Sequence, residues 1–342
     1  MNTQFIKIES PEETEKLKAA GKVLRAGGLC AIPTETVYGL AANALDGQAV
    51  QKIFEAKGRP QDNPLIVHIS CMEELPPLVR EIPQAAITLA EAYWPGPLTI
   101  ILPKADCIPE AVTCGHPTVA IRMPSHPIAN AIIRTAGVPL AAPSANLSGK
   151  PSPTTAQHVL HDLNGRVDMI VDGGECAVGV ESTVITLCGE KPRLLRPGGI
   201  TWEQLSAVLG EVEVDKAVFH ALDKGEKPAS PGMKYQHYSP DADVLLIKGS
   251  RQAMASYAQN YDTQSTAVVC FDGEETLFPH KTYTIGAPQD GSAHAHAIFG
   301  VLRQADADGF QTVLIHHPPR DGVDMAVLNR LLRAAAFQVV EV

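Results

Sequence analysis

Two cations set one residue apart, in Lys57-Gly58-Arg59-Pro60, are the side chains of this chain best suited to hold a polyanion. Arginine offers a planar fork for bidentate bonding to phosphate or carboxylate, and lysine adds a mobile point charge. Much later, the apolar run Leu140-Ala141-Ala142-Pro143 ends in Ser144-Ala145-Asn146, which puts a hydroxyl and an amide at a strand end. Each half alone reads as a solvated turn. Together they predict an anion pocket built from strand ends and loops.

Further segments carry polar groups at strand ends. Thr34-Glu35-Thr36 follows the apolar run 29–32, and open α/β sheets take ligands at the carboxyl ends of their strands. A purely structural turn fits the same residues. Arg122 closes the apolar run 119–121 and must find an anion or reach solvent. Its partner is either a substrate carboxylate or a structural Asp or Glu. Ser182, in Gly179-Val180-Glu181-Ser182-Thr183, and Arg196, in Leu194-Leu195-Arg196-Pro197, add two more polar groups at strand edges. The loop from Ser144 to Pro151 is P-loop-like only on the surface. Ser144 stands at the first Gly position, and Pro151 replaces the Ser or Thr that would hold magnesium. It can still offer hydroxyls and backbone N–H groups, and a helix expected after Thr154-Thr155 turns its positive end towards anions. An ordinary strand-to-helix loop is the alternative.

His68 lies inside an apolar strand, as a core residue or a pocket wall. His158 and His161 share a helix face with no carboxylate pattern beside them, which predicts surface positions. His294/His296 and His316/His317 show no metal pattern, so no metal bound directly by side chains is expected. There is no Gly-x-Ser-x-Gly elbow and no Cys with an evident base, so covalent catalysis has no support. Cations, hydroxyls and backbone donors suit electrostatic stabilisation of a transferring phosphate.

These groups need a scaffold. At 342 residues, 45% of them hydrophobic, two domains with full cores are expected. No apolar run is long enough for a membrane span, and the first residues lack the apolar core of a signal peptide. Seven cysteines, odd in number and without Cys-x-x-Cys, fit the reduced thiols of a cytoplasmic protein. The net charge of -10, mostly from residues after 200, opposes general nucleic-acid binding.

Ser10-Pro11-Glu12-Glu13 predicts a capping box opening a helix that stops at Gly27-Gly28. Strands are expected at 29–32, 65–69, 98–102, 119–121, 140–142, 169–171 and 183–187, and helices at 46–56, 84–93, 127–135, 155–163 and 202–209. Strands alternating with helices, several of them continuous apolar runs, argue an α/β sheet covered on at least one face. Residues 211–241 lack periodicity and read as a linker. Its stretch from Ser230 to Pro240, with Tyr235, His237 and Tyr238, is too aromatic for a plain spacer and suggests a lid. From Asp243 the pattern restarts, with strands at 244–247, 267–271, 282–285 and 313–316 and helices at 251–259, 293–306 and 325–335. The expected units are thus 1–210, a linker at 211–241 and a smaller α/β domain at 242–342.

In order along the chain come Pro33-Thr34-Glu35-Thr36-Val37-Tyr38-Gly39-Leu40, Lys57-Gly58-Arg59-Pro60 with Asn63-Pro64-Leu65-Ile66-Val67-His68, and Trp94-Pro95-Gly96-Pro97-Leu98-Thr99. Arg122-Met123-Pro124, Pro143-Ser144-Ala145-Asn146 with Ser148-Gly149, and Arg196-Pro197-Gly198 follow. This series resembles the YrdC-like family over about residues 10–200. The Ser230-Pro231-Gly232-Met233-Lys234-Tyr235 linker and the second domain look like the family's long, two-domain form, the threonylcarbamoyl-AMP synthases. The resemblance implies a twisted, open α/β sheet around a basic, concave cleft, followed by a Rossmann-like α/β domain. It implies a nucleotidyltransferase that makes threonylcarbamoyl-AMP and pyrophosphate from L-threonine, bicarbonate or CO2, and ATP with Mg2+. A partner tRNA threonylcarbamoyl transferase would use the product on adenosine 37 of tRNAs reading ANN codons.

Carried over by position, Thr36, His68, Arg122, Ala142 and Ser182 would hold threonine, Arg122 through its carboxylate. Arg59, Asn63, Thr118, Ser144, Asn146, Ser152 and Arg196 would hold ATP. Lys57 and Arg59 would stabilise the departing pyrophosphate, and Tyr235 and Tyr238 would close over the nucleotide. The linker departs from the family at Gln236, where Arg is usual. Two rival readings remain. A non-catalytic double-stranded RNA or tRNA binder is opposed by the net charge. The carbamoyl transfer of hydrogenase-maturation proteins is opposed by the missing Cys-x-x-Cys.

Overall fold

The computed structural model describes residues 2–221 and 237–342. The larger of its two sheets has eleven strands: β1 (Gln4–Lys7), β2 (Cys30–Ile32), β3 (Gly39–Asn43), β4 (Ile66–His68), β5 (Leu98–Pro103), β6 (Thr118–Arg122), β7 (Leu140–Ala141), β8 (Met169–Asp172), β9 (Thr183–Thr186), β10 (Arg193–Arg196) and β11 (Glu213–Val214). Their spatial order is β1-β8-β2-β3-β7-β4-β6-β5-β9-β10-β11, with parallel and antiparallel pairs mixed. The helices of this half are α1 (Thr14–Arg25), α2 (Gly47–Lys57), α3 (Gln84–Tyr93), α4 (Glu110–Thr113), α5 (Pro127–Ala136), α6 (Ala156–Leu163) and α7 (Trp202–Leu209).

Side chains alternate across a strand, and that alternation sorts the cores. Cys30 and Ile32 of β2 pack with Leu17, Ala20 and Leu24 of α1 and Ile128, Ile132 and Ile133 of α5. Ala31, between them, faces the other core, with Val50, Ile53 and Phe54 of α2 and Val159 of α6. The sheet is therefore covered on both faces at this end. Further along, Val67 of β4 joins the main core, while Ile66 sits with only a small cluster of Ile101, Ala120, Val184, Leu195 and Ala217. The thinly covered face over β4, β6, β5 and β9 is where a ligand can enter.

Some elements depart from the sequence expectation. Helix α1 begins at Thr14, because the Ser10 hydroxyl bonds to Glu12 and no side chain caps the helix. The Glu13 carboxylate instead accepts the Glu9 and Ser10 N–H groups at 2.6 and 3.2 Å. Strand β3 was not anticipated. Its Gly39-Leu40-Ala41-Ala42-Asn43 is poor in the β-branched and aromatic residues that mark strands. The edge strand β1 gives no signal either, since it is mostly exposed and pairs with the distant β8. Within the stretch read as a linker from 211, β11 extends the large sheet beside β10.

The second sheet comprises β12 (Asp243–Lys248), β13 (Thr266–Cys270), β14 (Lys281–Thr284), β15 (Thr312–His316) and β16 (Val339–Glu341), all parallel, in the order β14-β13-β15-β12-β16. Helices α8 (Arg251–Ala258), α9 (Gly291–Ala307) and α10 (Asp324–Ala334) complete it. The division into a large mixed sheet and a smaller parallel α/β unit matches the expected fold class. No helix among the described residues is long and apolar enough to cross a membrane.

Candidate active site

Helix α2 explains Lys57-Gly58-Arg59. Asp46 caps its start, accepting the Gln48 and Ala49 N–H groups at 2.9 and 3.2 Å. Ala49, Val50, Ile53 and Phe54 fill its buried stripe. Gly58 ends it in the left-handed region at φ 60°, which a residue with a Cβ adopts only under strain. Arg59 N–H then returns to the Phe54 carbonyl at 2.9 Å. Both cations thus sit at a helix C-terminus, whose partial negative charge favours them.

The two diverge from there. Lys57 is 2% exposed. Its ammonium donates to the Ser144 carbonyl at 2.5 Å and to the Asn146 carbonyl. These bonds tie α2 to the Ser144-Ala145-Asn146 loop. Burial, then the neighbouring Arg59 charge, holds its pKa well below the ordinary lysine value. Arg59 turns to the Asn63 and Pro64 carbonyls, at 3.2 and 3.4 Å. Burial lowers its pKa to about 10.

The loop is also braced internally. Ser144 Oγ donates to Asn146 Oδ1 at 2.5 Å, and Asn146 Nδ2 donates to the Leu147 and Lys150 carbonyls. Backbone bonds from Leu40 to Pro143, Ala145 to Tyr38 and Tyr38 to Pro153 pin it to the segment around Thr36.

Strand register supplies the next group. β4 and β6 run parallel with His68 opposite Arg122, so the imidazole and guanidinium stand side by side. Arg122 Nη2 lies 2.8 Å from Glu35 Oε1. Its anchor is thus the structural carboxylate, and its Nε has no hydrogen-bond partner. Burial alone would raise the Glu35 pKa, but Arg122 and backbone donors outweigh it and hold the carboxyl below its usual range. His68 Nδ1 lies 3.1 Å from the Ile66 carbonyl. Burial and the Arg122 charge push its pKa down to about 3, which keeps the ring neutral.

On the far wall, Ser182 Oγ lies 2.8 Å from Thr99 Oγ1. Arg196 donates to the Ser182 carbonyl and hydroxyl, both at 3.1 Å. Gly198 makes that approach possible, since a Cβ there would lie 2.3 Å from Thr183 N and 2.5 Å from the Glu181 carbonyl.

These groups meet in one cleft. Thr36, Lys57, Arg59, His68, Arg122, Ala142, Ser144, Asn146, Ser182, Arg196 and Tyr238 all line it. Asn63, Thr118 and Ser152 do not. Thr118 edges a separate hollow with Thr113 and His116. Asn63 is buried, with both amide atoms unpartnered. Ser152 is fully buried, and its hydroxyl bonds to the Glu181 carboxylate. Tyr235 and Gln236 lie outside the described residues. Tyr238 is described: it has φ 64°, packs 5.3 Å from the Phe299 ring, and has its pKa raised by burial and then by Glu181. His237, in the stretch read as a lid, also lines the cleft, but sequence reasoning singled out neither Lys150 nor Glu181 for this wall. Nothing in their spacing separates them from solvated loop residues.

Comparison with known proteins decides the family. A family model described as telomere recombination matches residues 22–198, and one described as threonylcarbamoyl-AMP synthase, C-terminal domain, matches 200–336. A threonylcarbamoyl-AMP synthase of Bacillus subtilis is 46% identical over 95% of this chain and 94% of its own length. The chain belongs to the threonylcarbamoyl-AMP synthase family. It is an enzyme of that family, a transferase of tRNA modification. A second relative of the same name, from Pyrococcus abyssi, is 42% identical over 99% of this chain and all of its own. A crystal structure described as P. abyssi Sua5 complexed with L-threonine superposes with a TM-score of 0.90, at 41% identity, covering 99% of this chain and 100% of that one.

Proposed function

We propose that the cleft makes threonylcarbamoyl-AMP and pyrophosphate from L-threonine, bicarbonate or CO2, and ATP. The observation that carries this reading is the convergence of buried Lys57, Arg122 and Arg196 and half-buried Arg59 with the hydroxyls of Thr36, Ser144 and Ser182 on one cavity. Threonine would lie over β4 and β6, its carboxylate against Arg122 and its polar atoms near Thr36, His68 and Ser182. That the P. abyssi relative is described in complex with L-threonine supports threonine as a ligand.

Its deprotonated amine adds to CO2, forming the carbamate N–C bond as one N–H proton is lost to solvent. A carbamate oxygen then attacks the α-phosphorus of ATP, and the bond from that phosphorus to the bridging oxygen breaks as pyrophosphate leaves. Arg59 and Arg196 meet the triphosphate. Fixed cations of this kind stabilise departing charge without reorganising. Lys57 acts by holding the Ser144–Asn146 loop and by its field. Neutral His68 serves as a hydrogen-bonding wall rather than a charged acid.

Magnesium is proposed only as the ion that ATP carries, where it neutralises phosphate charge. Among the described residues no cluster of three His, Cys, Asp or Glu fits a metal, and Glu181 on the cleft wall is taken by Arg330. The product would pass to a tRNA threonylcarbamoyl transferase.

The test is incubation of the protein with ATP, magnesium, bicarbonate and each amino acid in turn. Pyrophosphate and a threonylcarbamoyl adenylate formed only with threonine and bicarbonate are expected. Pyrophosphate release that ignores the amino acid would overturn the reading.

A further inference from the structure

A buried arginine of the second domain reaches the wall of the cleft. Arg330, on α10, has no exposed surface. Its Nε donates to Glu181 Oε2 at 2.7 Å and its Nη2 to the Glu181 carbonyl at 3.3 Å. Nη1 donates to the Pro197 carbonyl and to Asn329 Oδ1, each at 2.9 Å. The guanidinium also lies 5.6 Å from the centre of the Tyr238 ring. The whole of α10 is wedged inward, every residue from Asp324 to Ala334 being buried. Asn329 Nδ2 donates to the Val218 carbonyl at 2.6 Å and Arg333 Nη2 to the Ala217 carbonyl at 2.7 Å, which fixes the helix against the first domain.

Glu181 is the only carboxylate among the described residues that line the cleft, beside Lys57, Arg59, Arg122, Lys150 and Arg196. Its second oxygen takes the Ser152 hydroxyl, and the next residue, Ser182, receives Arg196. A buried carboxylate left unpaired at this point would repel a triphosphate and draw Arg196 off Ser182. On the reading that the cleft binds ATP, we propose that Arg330 is a positioning residue of the active site. From the second domain it neutralises Glu181 and keeps Arg196 on Ser182, facing the nucleotide. The second domain is then part of the site's electrostatics. Sequence gave no hint of this, since Arg330 and Arg333, three apart on a helix, look the same as a solvated face.

The experiment titrates the magnesium complex of α,β-methylene ATP into three forms of the full chain by calorimetry: the parent, Arg330→Met, and Arg330→Met/Glu181→Gln. Thermal unfolding is run on each. Arg330→Met strands a charge and should weaken nucleotide binding at least about tenfold. The double variant replaces a buried pair with neutral groups, a change such pairs tolerate, and should bind within about threefold of the parent. A role in packing alone would not give that rescue. Parent-like affinity in Arg330→Met would overturn the proposal, as would an equal loss in single and double variants. If Arg330→Met fails to fold, the double variant decides alone: near-parent binding supports the proposal and a tenfold loss overturns it. Absence of binding by the parent would instead sink the ATP reading, and this inference with it.

Discussion

In the first domain, His68 and Arg122 stand side by side at the ends of β4 and β6, and the polar groups around them open onto a cleft. In the second, His316 ends β15 and His294 stands on the first turn of α9, yet both ring nitrogens of each are engaged. His294 Nδ1 lies 2.7 Å from Asp324 and its Nε2 2.8 Å from the Ala287 carbonyl. His316 Nδ1 lies 2.8 Å from Glu274 and its Nε2 3.2 Å from the Gly249 carbonyl. The Phe271 ring fills the space between, 4.9 and 5.1 Å from the two imidazoles.

Polar side chains gathered beside a sheet thus line an open cleft in one place and form a closed polar core in the other. What separates them is hydrogen-bonding capacity left over and room to use it. The charge state follows the neighbour. Beside Arg122, His68 is driven neutral. At His294, burial works against the charge, but Asp324, Ala287 and Asp290 outweigh it and raise the pKa above 6.5.

The hardest test of this contrast is Arg59→Ala, which removes a cation facing the cleft. Pyrophosphate release should fall about 100- to 1,000-fold. Glu274→Gln in the closed core should leave the rate within about twofold. Equal losses in steady-state assays would erase the distinction.

Lys57→Met probes the tie between α2 and the site loop. It leaves the buried Asn146 carbonyl and the part-buried Ser144 carbonyl without their donor, at about 1–3 kcal/mol for the buried one. Urea denaturation should show a loss of at least about 2 kcal/mol, and an unchanged midpoint would mean that the loop is held by other bonds.

The closed core has a pH signature. Because the folded His294 pKa is raised, its stabilisation is complete below 6.5 and is lost as pH climbs through the folded value. The denaturant midpoint of the second domain should decline above that pH, and Asp324→Asn should flatten the decline. A midpoint that rises with pH in the parent would reverse the assignment.

His68 should give the smallest effect. A ring with a pKa of about 3 does not titrate near neutrality. The rate profile from about pH 5 to about pH 8 should therefore keep its shape in His68→Gln. A limb near neutrality that vanishes in the variant would show a charged imidazole in the cleft.

Much of the molecule was legible from local physics. Apolar runs and helical stripes placed α2, α3, α7 and the strands β4 to β6 to within about a residue or two, because burial of one face imposes its period on the sequence. Asp46 and Gly58 marked the two ends of α2 through the chemistry of caps. Spacing and residue type also pointed to an anion site around Lys57, Arg59 and Ser144. Tertiary structure decided what those residues face. Lys57 and Arg59 look like a matched pair on paper, yet the helix end sends one to loop carbonyls and the other to Asn63 and Pro64. Arg122 had two possible partners in sequence, and only the fold brought Glu35 to it. His294 and His316 looked incidental until distant carboxylates met them. Arg330 lies 149 positions from Glu181, and no local pattern encodes a contact across such a distance. A chain fixes its own periodicity and turns residue by residue, but a buried charge finds its partner only when separate elements close around both.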